Sequence, residues 1–397
     1  MTSVKLSQVA HFASIAASFA AFSAAAAQPG RPNTGADLDW RSLEAPVLTD
    51  HVQLTSRDDF VKAGEAYFSH DMRRIIFQAV PVPQEGESEA QHYLMYVADL
   101  LRDDSGAIKG IGEPTLLSAA GSANTCGWFH PADSDVVIYG STIVEPNTVE
   151  APGYQRDGGR YKWAFPSEMQ IVLQRLTAEG ASEPRNIIDQ TGYDAEASFS
   201  SDGRFVLYAN VDEERSALIG RPEADIWVYD IRNDRHHALI TAPGYDGGPF
   251  FSPDGKKICY RSDRKGDNML QLFVAELAFN EDGVPVAVST EHQITSNEHV
   301  NWAPFFHPSG EFLVYGTSEQ GHWNYEVYAV EIGDLGKTPE ARERVRVTSS
   351  GGADVLPVFS PDGQWMMWTA QRGALAPGEQ RPSSQLWIAR FDPDELF

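Results

Sequence analysis

Oxygen-bearing side chains recur at one position of a repeated pattern in this chain of 397 residues. Five of them stand five residues before a recurring phenylalanine: Asn124, Asp194, Asp246, Asn301 and Asp354. Glu65 and Glu196 lie two residues after that position in their copies, and His299 closely precedes Asn301. Convergent carboxylate and amide oxygens suit a hard cation such as Ca²⁺, and they also suit a ligand that carries an amine. These residues are our candidate ligand-binding set, with the cofactor left open as Ca²⁺ or another divalent cation.

A structural interpretation explains the same repetition more simply. Asp and Asn side chains often hydrogen-bond nearby backbone groups where a chain turns into a strand. A position that recurs from copy to copy is expected to have a structural task that recurs in the same way. The oxygen atoms would then cap the entry to a strand and bind the neighbouring copy rather than a ligand.

Aromatic and cationic side chains form a second candidate set. One stretch carries Tyr154, Arg156, Arg160, Tyr161 and Trp163, and the matching stretch of a later copy carries His322 and Trp323. Exposed aromatics beside arginines are typical of protein contacts, and aromatic faces also suit sugar rings. Alternatively, the first stretch folds back over the molecule and buries its aromatic rings.

Short catalytic signatures are missing from the sequence. It contains no G-x-S-x-G elbow, no H-E-x-x-H, no glycine-rich phosphate loop and no zinc-binding cysteine pattern. Residues contributed by different copies of a repeat could still form a site without any contiguous motif. We therefore assign no catalytic residue and favour a binding protein over an enzyme.

Six copies of one pattern must position all of these residues. Their anchoring phenylalanines are Phe68, Phe129, Phe199, Phe251, Phe306 and Phe359. Each copy starts with a short apolar strand and a turn such as residues 252–255, where proline presets φ and glycine takes the left-handed position. Three further strands rich in β-branched and aromatic residues follow. Four antiparallel strands per copy predict the blade of a β-propeller.

The two ends of the pattern complement each other. The sixth copy stops after its third strand, residues 385–390, while a strand-like segment at residues 52–55 stands before the first copy. If this N-terminal strand completes the last blade, no open sheet edge is left between the first and last blades. The predicted fold is therefore an all-β, six-bladed β-propeller of four-stranded antiparallel blades, closed by its N-terminal strand.

The S-P-D-G turn, followed by an apolar strand, a polar turn and a short aromatic strand, resembles the repeat of TolB-type β-propellers, a WD-like family of exported bacterial proteins. Residues 200–203, 252–255 and 360–363 carry the turn best. The resemblance covers residues 48–391, and we expect the N-terminal domain of TolB to be absent. It implies a propeller that binds a protein or glycan. A resemblance to exported propeller lyases, which hold a divalent metal with several histidines and a glutamine, implies the alternative of a metal-dependent lyase or hydrolase acting on a polysaccharide.

Propeller strands alternate in direction, which sorts the connections between them onto two faces. Connections between second and third strands share a face with the entries to the innermost strands, and we call this side the loop-rich face. Its four longest loops are residues 81–91, 145–166, 210–224 and 371–384. Long loops on a rigid scaffold commonly carry binding sites. We therefore expect the partner to bind at this mouth of the central channel.

The N-terminus predicts export. Residues 1–27 contain Lys5, an apolar stretch and an alanine-rich end, which is the pattern of a signal peptide cleaved near Ala27. The apolar stretch is short for a bilayer span, so we expect no membrane insertion. We predict a periplasmic or secreted protein with an N-terminal extension at residues 28–47 and one propeller domain at residues 48–397.

The net charge narrows the set of partners, and the two cysteines bear on disulfide formation. The formal net charge of −25 disfavours nucleic acid, whose binding depends on Lys and Arg replacing counterions. Cys126 and Cys259 fall at different places in their copies, too far apart in the predicted register for a disulfide. We expect two buried free thiols and a monomer.

Overall fold

A computed structural model describes residues 38–147, 155–157, 160–162, 165–375, 378–379 and 381–397. The predicted signal peptide and much of the predicted N-terminal extension lie outside these residues. Six antiparallel sheets of four principal strands form six blades, and helices are few. The all-β fold predicted from the sequence is confirmed.

The blades follow one another in chain order after a short helix and a first strand. These two elements are α1 (Trp40–Glu44) and β1 (Leu48–Gln53). Blade one contains β2 (Phe60–Phe68), β3 (Arg74–Pro81), β4 (Leu94–Arg102), β5 (Ile108–Ile111) and β6 (Thr115–Leu116). Blade two contains β7 (Asn124–His130), β8 (Asp133–Ser141), β9 (Gln155–Asp157), β10 (Arg160–Lys162), β11 (Gln170–Thr177), β12 (Gly180–Ala181) and β13 (Arg185–Ile188). Blade three contains β14 (Tyr193–Phe199), β15 (Phe205–Val211), α2 (Glu213–Ile219), β16 (Ala224–Asp230) and β17 (Arg235–Ile240).

Blade four contains β18 (Asp246–Phe251), β19 (Lys257–Ser262), β20 (Gln271–Phe279) and β21 (Pro285–Gln293). Blade five contains β22 (Asn301–Phe306), β23 (Phe312–Thr317), β24 (Glu326–Glu331), a 3₁₀ turn (Pro339–Ala341) and β25 (Arg344–Arg346). Blade six contains β26 (Asp354–Phe359), β27 (Trp365–Ala370), β28 (Gln385–Phe391) and a 3₁₀ turn (Pro393–Glu395). In each blade the first strand is innermost, and the second and third strands follow outward.

The innermost strands close a ring. β2 contacts β7, β7 contacts β14, β14 contacts β18, β18 contacts β22, β22 contacts β26, and β26 contacts β2 again. In the last blade β1 pairs antiparallel with β28, with Leu48 opposite Phe391 and Gln53 opposite Trp387. The predicted closure by the N-terminal strand is therefore confirmed, although that strand begins at Leu48 rather than at Val52.

The recurring turn is held by a serine and an aspartate. In blade three the Ser200 hydroxyl donates to Asp202 at 2.6 Å and accepts the amide of Phe205 at 3.0 Å. The same two bonds recur at Ser69 and Asp71, Ser252 and Asp254, and Ser360 and Asp362. Blade one keeps them although its turn lacks glycine, because Met72 takes the left-handed conformation there with φ 56°.

One aromatic side chain per blade fills the space between neighbouring sheets. The second strands place these rings at equivalent positions: Phe77, Tyr139, Tyr208, Tyr260, Tyr315 and Trp368. All are fully buried. Burying about 150–250 Å² of aromatic surface contributes roughly 4–6 kcal/mol per ring before the loss of conformational entropy. The packing between blades thus keeps the ring rigid around its channel.

The residues just before β1 belong to the propeller. Arg372 donates to Glu44 at 2.6 and 3.0 Å and to Asp354 at 3.0 Å, and all three side chains are almost completely buried. The Arg372 guanidinium also lies 4.3 Å from the ring centre of Trp40. The end of the predicted N-terminal extension is therefore fastened to blade six.

Both cysteines are free and buried, as predicted from the repeat register. The Cys126 thiol donates to Glu65 at 2.9 Å, and the Cys259 thiol lies 3.6 Å from the carbonyl of Pro304. Within the described residues, no helix has the length and apolar character needed to cross a bilayer.

Candidate functional site

A bulge at the same position of every innermost strand shapes the channel. The bulged residues are Glu65, Cys126, Glu196, Gly248, Ala303 and Leu356, with φ between 44° and 60°. Each coincides with a shift in pairing register against the second strand. Positive φ is uncommon for residues other than glycine, so its sixfold recurrence belongs to the fold. In blade four a β-carbon on Gly248 would lie 1.9 Å from Nη1 of Arg261, so a larger residue there would displace the end of that side chain.

The two amides among the candidate ligands are bonded within the protein. Asn124 donates to the carbonyl of Tyr93 in blade one at 2.9 Å and accepts the Ser141 hydroxyl at 2.7 Å. Asn301 accepts the Thr317 hydroxyl at 3.1 Å and donates to the carbonyl of His299 at 3.1 Å. Both side chains therefore join the entry of an innermost strand to its surroundings, as the structural interpretation expected. Ligand binding by this set stays a prediction.

The three aspartates of the set are also buried. Asp194 accepts the amide of Gln190 at 2.6 Å and the side chain of Asn210 at 2.9 Å. Arg264 lies 3.3 Å from Asp246. Burial raises the pKa of Asp194 to about 6 and that of Asp246 to about 7, since hydrogen bonds and, for Asp246, the charge of Arg264 offset the loss of hydration only in part.

Two buried glutamates lie deeper in the channel. Glu65 accepts the thiol of Cys126 at 2.9 Å and the hydroxyl of Tyr67 at 3.2 Å. Glu196 accepts the hydroxyl of Tyr245 at 2.6 Å and Nη2 of Arg261 at 3.0 Å. Burial raises the pKa of Glu65, although the bond from the Cys126 thiol and the charge of Arg261 act in the opposite direction. These contacts link blades one to two and three to four across the channel wall.

No metal centre is formed by the residues that the structure describes. Among them, no three His, Cys, Asp or Glu side chains are grouped so that they could hold a metal ion. His299 uses its backbone, donating its amide to Asn297 at 3.1 Å and accepting Gln271 at its carbonyl at 3.1 Å. Binding of Ca²⁺ or another divalent cation, and with it the metal-dependent lyase alternative, stays a prediction.

The blade-two insertion contains a short hairpin. Strands β9 and β10 pair antiparallel, with Tyr161 opposite Arg156 and Arg160 opposite Asp157. Tyr154 and Trp163 lie outside the described residues, and only the backbone of the hairpin is described. The predicted contacts of these side chains therefore stay predictions.

The chain returns from this insertion through the channel mouth. Phe165 packs edge-on against Tyr193, with ring centres 5.0 Å apart, and its ring centre lies 5.5 Å from that of Tyr245. Tyr193 and Tyr245 stand at the entries to the innermost strands of blades three and four. The end of the insertion thus helps to cover the mouth at the loop-rich face.

His322 and Trp323 lie on the same face in blade five. The His322 ring is 3.2 Å from the hydroxyl of Tyr325, while Trp323 is 48% exposed. Arg381, from the matching loop of blade six, donates to the carbonyl of Trp323 at 2.9 Å and lies 5.2 Å from the centre of its ring. An exposed aromatic ring beside a guanidinium is a common composition for a protein contact.

Of the thirteen large apolar side chains that are exposed in the described part of the chain, about half lie on the loop-rich face. Connections between second and third strands supply six of them, from five of the six blades: Val82, Val144, Leu218, Ile219, Trp323 and Leu375. Leu218 is 85% exposed and lies on α2, which begins after the cap Asp212 and ends before the cap Gly220. Arg215 fastens this helix to Glu223 at 3.0 Å. The helix therefore presents its apolar end to solvent.

An aromatic cavity opens at the opposite mouth of the channel, among the turns between first and second strands. Its volume is about 260 Å³. The floor consists of Tyr67, Trp128, Phe250 and Phe305, whose neighbouring ring centres lie 4.9–6.2 Å apart. We call this cavity the aromatic cup. The cup was not predicted from the sequence, although the residue directly before the anchoring phenylalanine is aromatic in four of the six copies.

Comparisons with known proteins agree with this architecture. No family model matches the chain. The Tol-Pal system protein TolB of Wolinella succinogenes is 22% identical over 252 residues, which are 62% of this chain and 54% of that protein. Dipeptidyl-peptidase 5 of Porphyromonas gingivalis is 38% identical over 85 residues, which are 20% of this chain and 12% of that protein. The match thus spans about half of the first relative and a small part of the second.

A solved structure extends the likeness over most of the ring. The crystal structure of TolB from Acinetobacter baumannii is similar with a TM-score of 0.50 and 16% identity, covering 82% of this chain and 65% of that chain. At this level of identity the similarity concerns the fold.

Proposed function

Because the chain is a TolB-like six-bladed β-propeller, we propose that it is an exported scaffold that binds a protein partner on its loop-rich face. This fold is, in general, compatible with a protein-interaction scaffold. The observation that carries the proposal is the collection of exposed apolar side chains on that face, contributed by five of the six blades.

The placement of these apolar side chains on one face supports the proposal more than their number does. Single exposed apolar residues are normal on a soluble protein, whereas apolar residues gathered on one face favour an interaction surface. Leu218 and Trp323 stand on connections held by a rigid ring, so little conformational freedom is lost when they are covered. Aromatic rings and arginines dominate binding hot spots, and Trp323 with Arg381 supplies both.

Charge indicates the kind of partner surface. The whole chain carries a formal net charge of −25, and the exposed Glu213 and Glu214 stand in the first turn of the helix that presents Leu218. A negative surface attracts basic partners and repels acidic ones. We therefore propose a partner that places an apolar patch with basic residues around it against this face.

Binding through this face can be tested with a double variant. Leu218→Ser with Trp323→Ala removes two exposed apolar groups and no fully buried side chain. Immobilised protein would capture partners from the exported fraction of the source organism, and the dissociation constant of the isolated partner would then be measured by interferometry. We expect at least tenfold weaker binding by the double variant, since a hot-spot residue contributes about 1–2 kcal/mol or more.

Phe279→Ser with Leu101→Ser is the matched control. These two side chains are 44% and 50% exposed and stand at the ends of third strands, away from the loop-rich face. The control should bind as the unmodified protein does. Equal binding by all three proteins would remove this face from consideration, and retention only on a glycan array would replace the protein partner by a carbohydrate.

A further inference from the structure

We propose that the aromatic cup is a second binding site, which receives one aromatic side chain from a neutral or basic segment of a partner polypeptide. The cup lies at the opposite end of the channel from the loop-rich face, so it does not depend on the function proposed above. Ten of the twenty residues that line it are aromatic and four are prolines. None of the twenty is Asp, Glu, Lys or Arg.

The floor of the cup leaves aromatic surface uncovered. Trp128, Phe250 and Phe305 are only partly buried, although each stands on an innermost strand in the middle of the ring. Tyr67 packs against Trp128 with ring centres 4.9 Å apart, and Phe250 packs against Phe305 at 5.1 Å. The rings support one another from several blades, so the surface is formed before any ligand arrives. A preformed apolar surface loses little entropy on binding.

The size of the cup selects a single ring system. Its volume of about 260 Å³ is below the range of about 300–1,000 Å³ usual for sites of drug-sized ligands. An indole or phenyl ring fits such a space and would stack edge-to-face or offset against the floor. A longer ligand would have to extend outward between the turns.

The polar groups of the cup favour a ring that belongs to a polypeptide. The hydroxyls of Ser200, Ser252 and Ser360 each donate to the aspartate of their own turn and accept a strand amide. These three hydroxyls are therefore engaged within their turns, and outside the aromatic floor His70 and Ser201 are the remaining polar side chains that line the cup. Few directional bonds are thus available to a small molecule, whereas an aromatic side chain needs none, because the rest of its chain orients it against the turns around the cup.

Charge around the cup indicates the neighbours of that side chain. Four of the six surrounding turns expose an aspartate at the same place: Asp71, Asp202, Asp254 and Asp362. Arg73, Arg204 and Lys256 follow three of these aspartates by two residues and offset part of their charge, while the formal net charge of the whole chain is −25. Each aspartate directly follows a residue that lines the cup. The segment that carries the ring is thus expected to be neutral or basic.

Saturation-transfer NMR with short peptides tests this site on the whole protein. The probes are Lys-Gly-Trp-Gly-Lys, its leucine counterpart Lys-Gly-Leu-Gly-Lys, its acidic counterpart Glu-Gly-Trp-Gly-Glu, and free indole. We expect transfer to the tryptophan ring of the basic peptide, at least fivefold less to either counterpart, and weaker binding of indole than of the basic peptide. Tighter binding of indole would overturn the polypeptide part of the proposal.

Two variants locate the site. Ser201→Trp places a large ring in the mouth of the cup from an exposed turn position and should reduce transfer at least fivefold. Ser289→Trp adds the same ring at an exposed position on the outermost strand of blade four and should leave transfer unchanged. Circular dichroism would verify that both variants are folded. Unreduced transfer in Ser201→Trp, or no transfer to the tryptophan peptide in the unmodified protein, would overturn the proposal.

Discussion

Asp246 carries a carboxyl group that is fully buried at the start of β18. The loss of hydration raises its pKa to about 7, even though Arg264 lies 3.3 Å away. At neutral pH this group therefore binds a proton part of the time and can donate a hydrogen bond as an amide does. Blades two and five have the amides Asn124 and Asn301 at the same position. A protonated Asp246 thus resembles its counterparts in those blades.

Replacing Asp246 by asparagine should change how stability depends on pH. The folded protein holds the proton between the unfolded pKa of 3.8 and the folded pKa of about 7, so the native state binds more protons than the unfolded state. The free energy of unfolding therefore decreases as pH rises through this window. Asp246→Asn removes that decrease, and we expect its advantage to grow to about 2–4 kcal/mol by pH 8, since one pKa unit corresponds to about 1.4 kcal/mol.

Urea unfolding at pH 5, 6, 7 and 8 measures this difference. Asp104→Asn is the control, because it makes the same substitution at an exposed position. If the curves of Asp246→Asn and the unmodified protein stayed parallel across this range, Asp246 would not be protonated in the folded state.

At the scale of elements, α1 and β1 complete blade six. β1 supplies the outermost strand, while Glu44 at the end of α1 reaches the buried guanidinium of Arg372. Arg372 in turn holds Asp354, the first residue of β26. His51 adds a contact of 2.9 Å to Glu44. One arginine thus joins the first helix of the described chain to the innermost strand of the last blade.

Loss of this arginine should destabilise the protein strongly. Arg372→Met leaves the carboxylates of Glu44 and Asp354 buried without their cation, and removing one partner of a buried ion pair costs about 3–5 kcal/mol. Arg390→Met makes the same change on β28, where the guanidinium is 48% exposed and 4.0 Å from Asp50. We expect that control to lose less than about 1 kcal/mol. Similar urea midpoints for the two variants would contradict this role of Arg372.

Local chemistry explains how much of the elements could be predicted from the sequence. The S-P-D-G turns and the alternating strands carry their conformational preferences in adjacent residues, so six blades and their closure were predicted correctly. The left-handed conformation of Glu65 or Cys126 could not be predicted, because neither residue type indicates positive φ. Helix α2 was also missed, although Asp212 and Gly220 are typical capping residues, because its seven residues are too few for a helical period to stand out.

The candidate site could likewise be predicted only where adjacent residues carry the signal. The recurring Asp and Asn residues were predicted at the entries to the innermost strands, and the structure places them there, bonded to their surroundings, while Glu65 and Glu196 lie deeper in the channel. The aromatic cup was not predicted, because the four longest loops favoured a binding site on the loop-rich face. Its rings come from four blades, so their convergence depends on ring closure and has no contiguous signal. The recurrence of Tyr67, Trp128, Phe250 and Phe305 directly before the anchoring phenylalanine was the available clue.

At the scale of the whole molecule, the two ends of the channel differ in chemistry. The loop-rich face combines exposed aliphatic side chains with acidic residues, and Phe165 helps to cover its mouth. The opposite face has short turns around the aromatic cup. The two proposed sites lie at opposite ends of the channel, so we expect occupation of one to leave the other accessible.

Export of the whole chain has a direct test. We expect the protein, produced with its full N-terminus in a Gram-negative host, to be recovered from the periplasmic or secreted fraction with Gln28 as its first residue. Mass spectrometry of the intact protein measures this, and the exported form should carry no residue of the segment 1–27. A charged residue in the apolar stretch, Ala17→Asp, should retain the uncleaved chain in the cytoplasm. Uncleaved protein in the exported fraction would contradict the predicted processing.

The pairing of β1 with β28 also sets the order in which the protein can fold. The hydroxyl of Thr55 accepts the amide of Leu386, a contact between residues 331 positions apart. β1 therefore has to wait for β28, which is synthesised much later, and contacts of such long separation slow folding. Until then the sheet edge of β1 stays unpaired and open to other chains. Truncated or stalled chains that lack the final strand should consequently be prone to aggregation, however well their first five blades have formed.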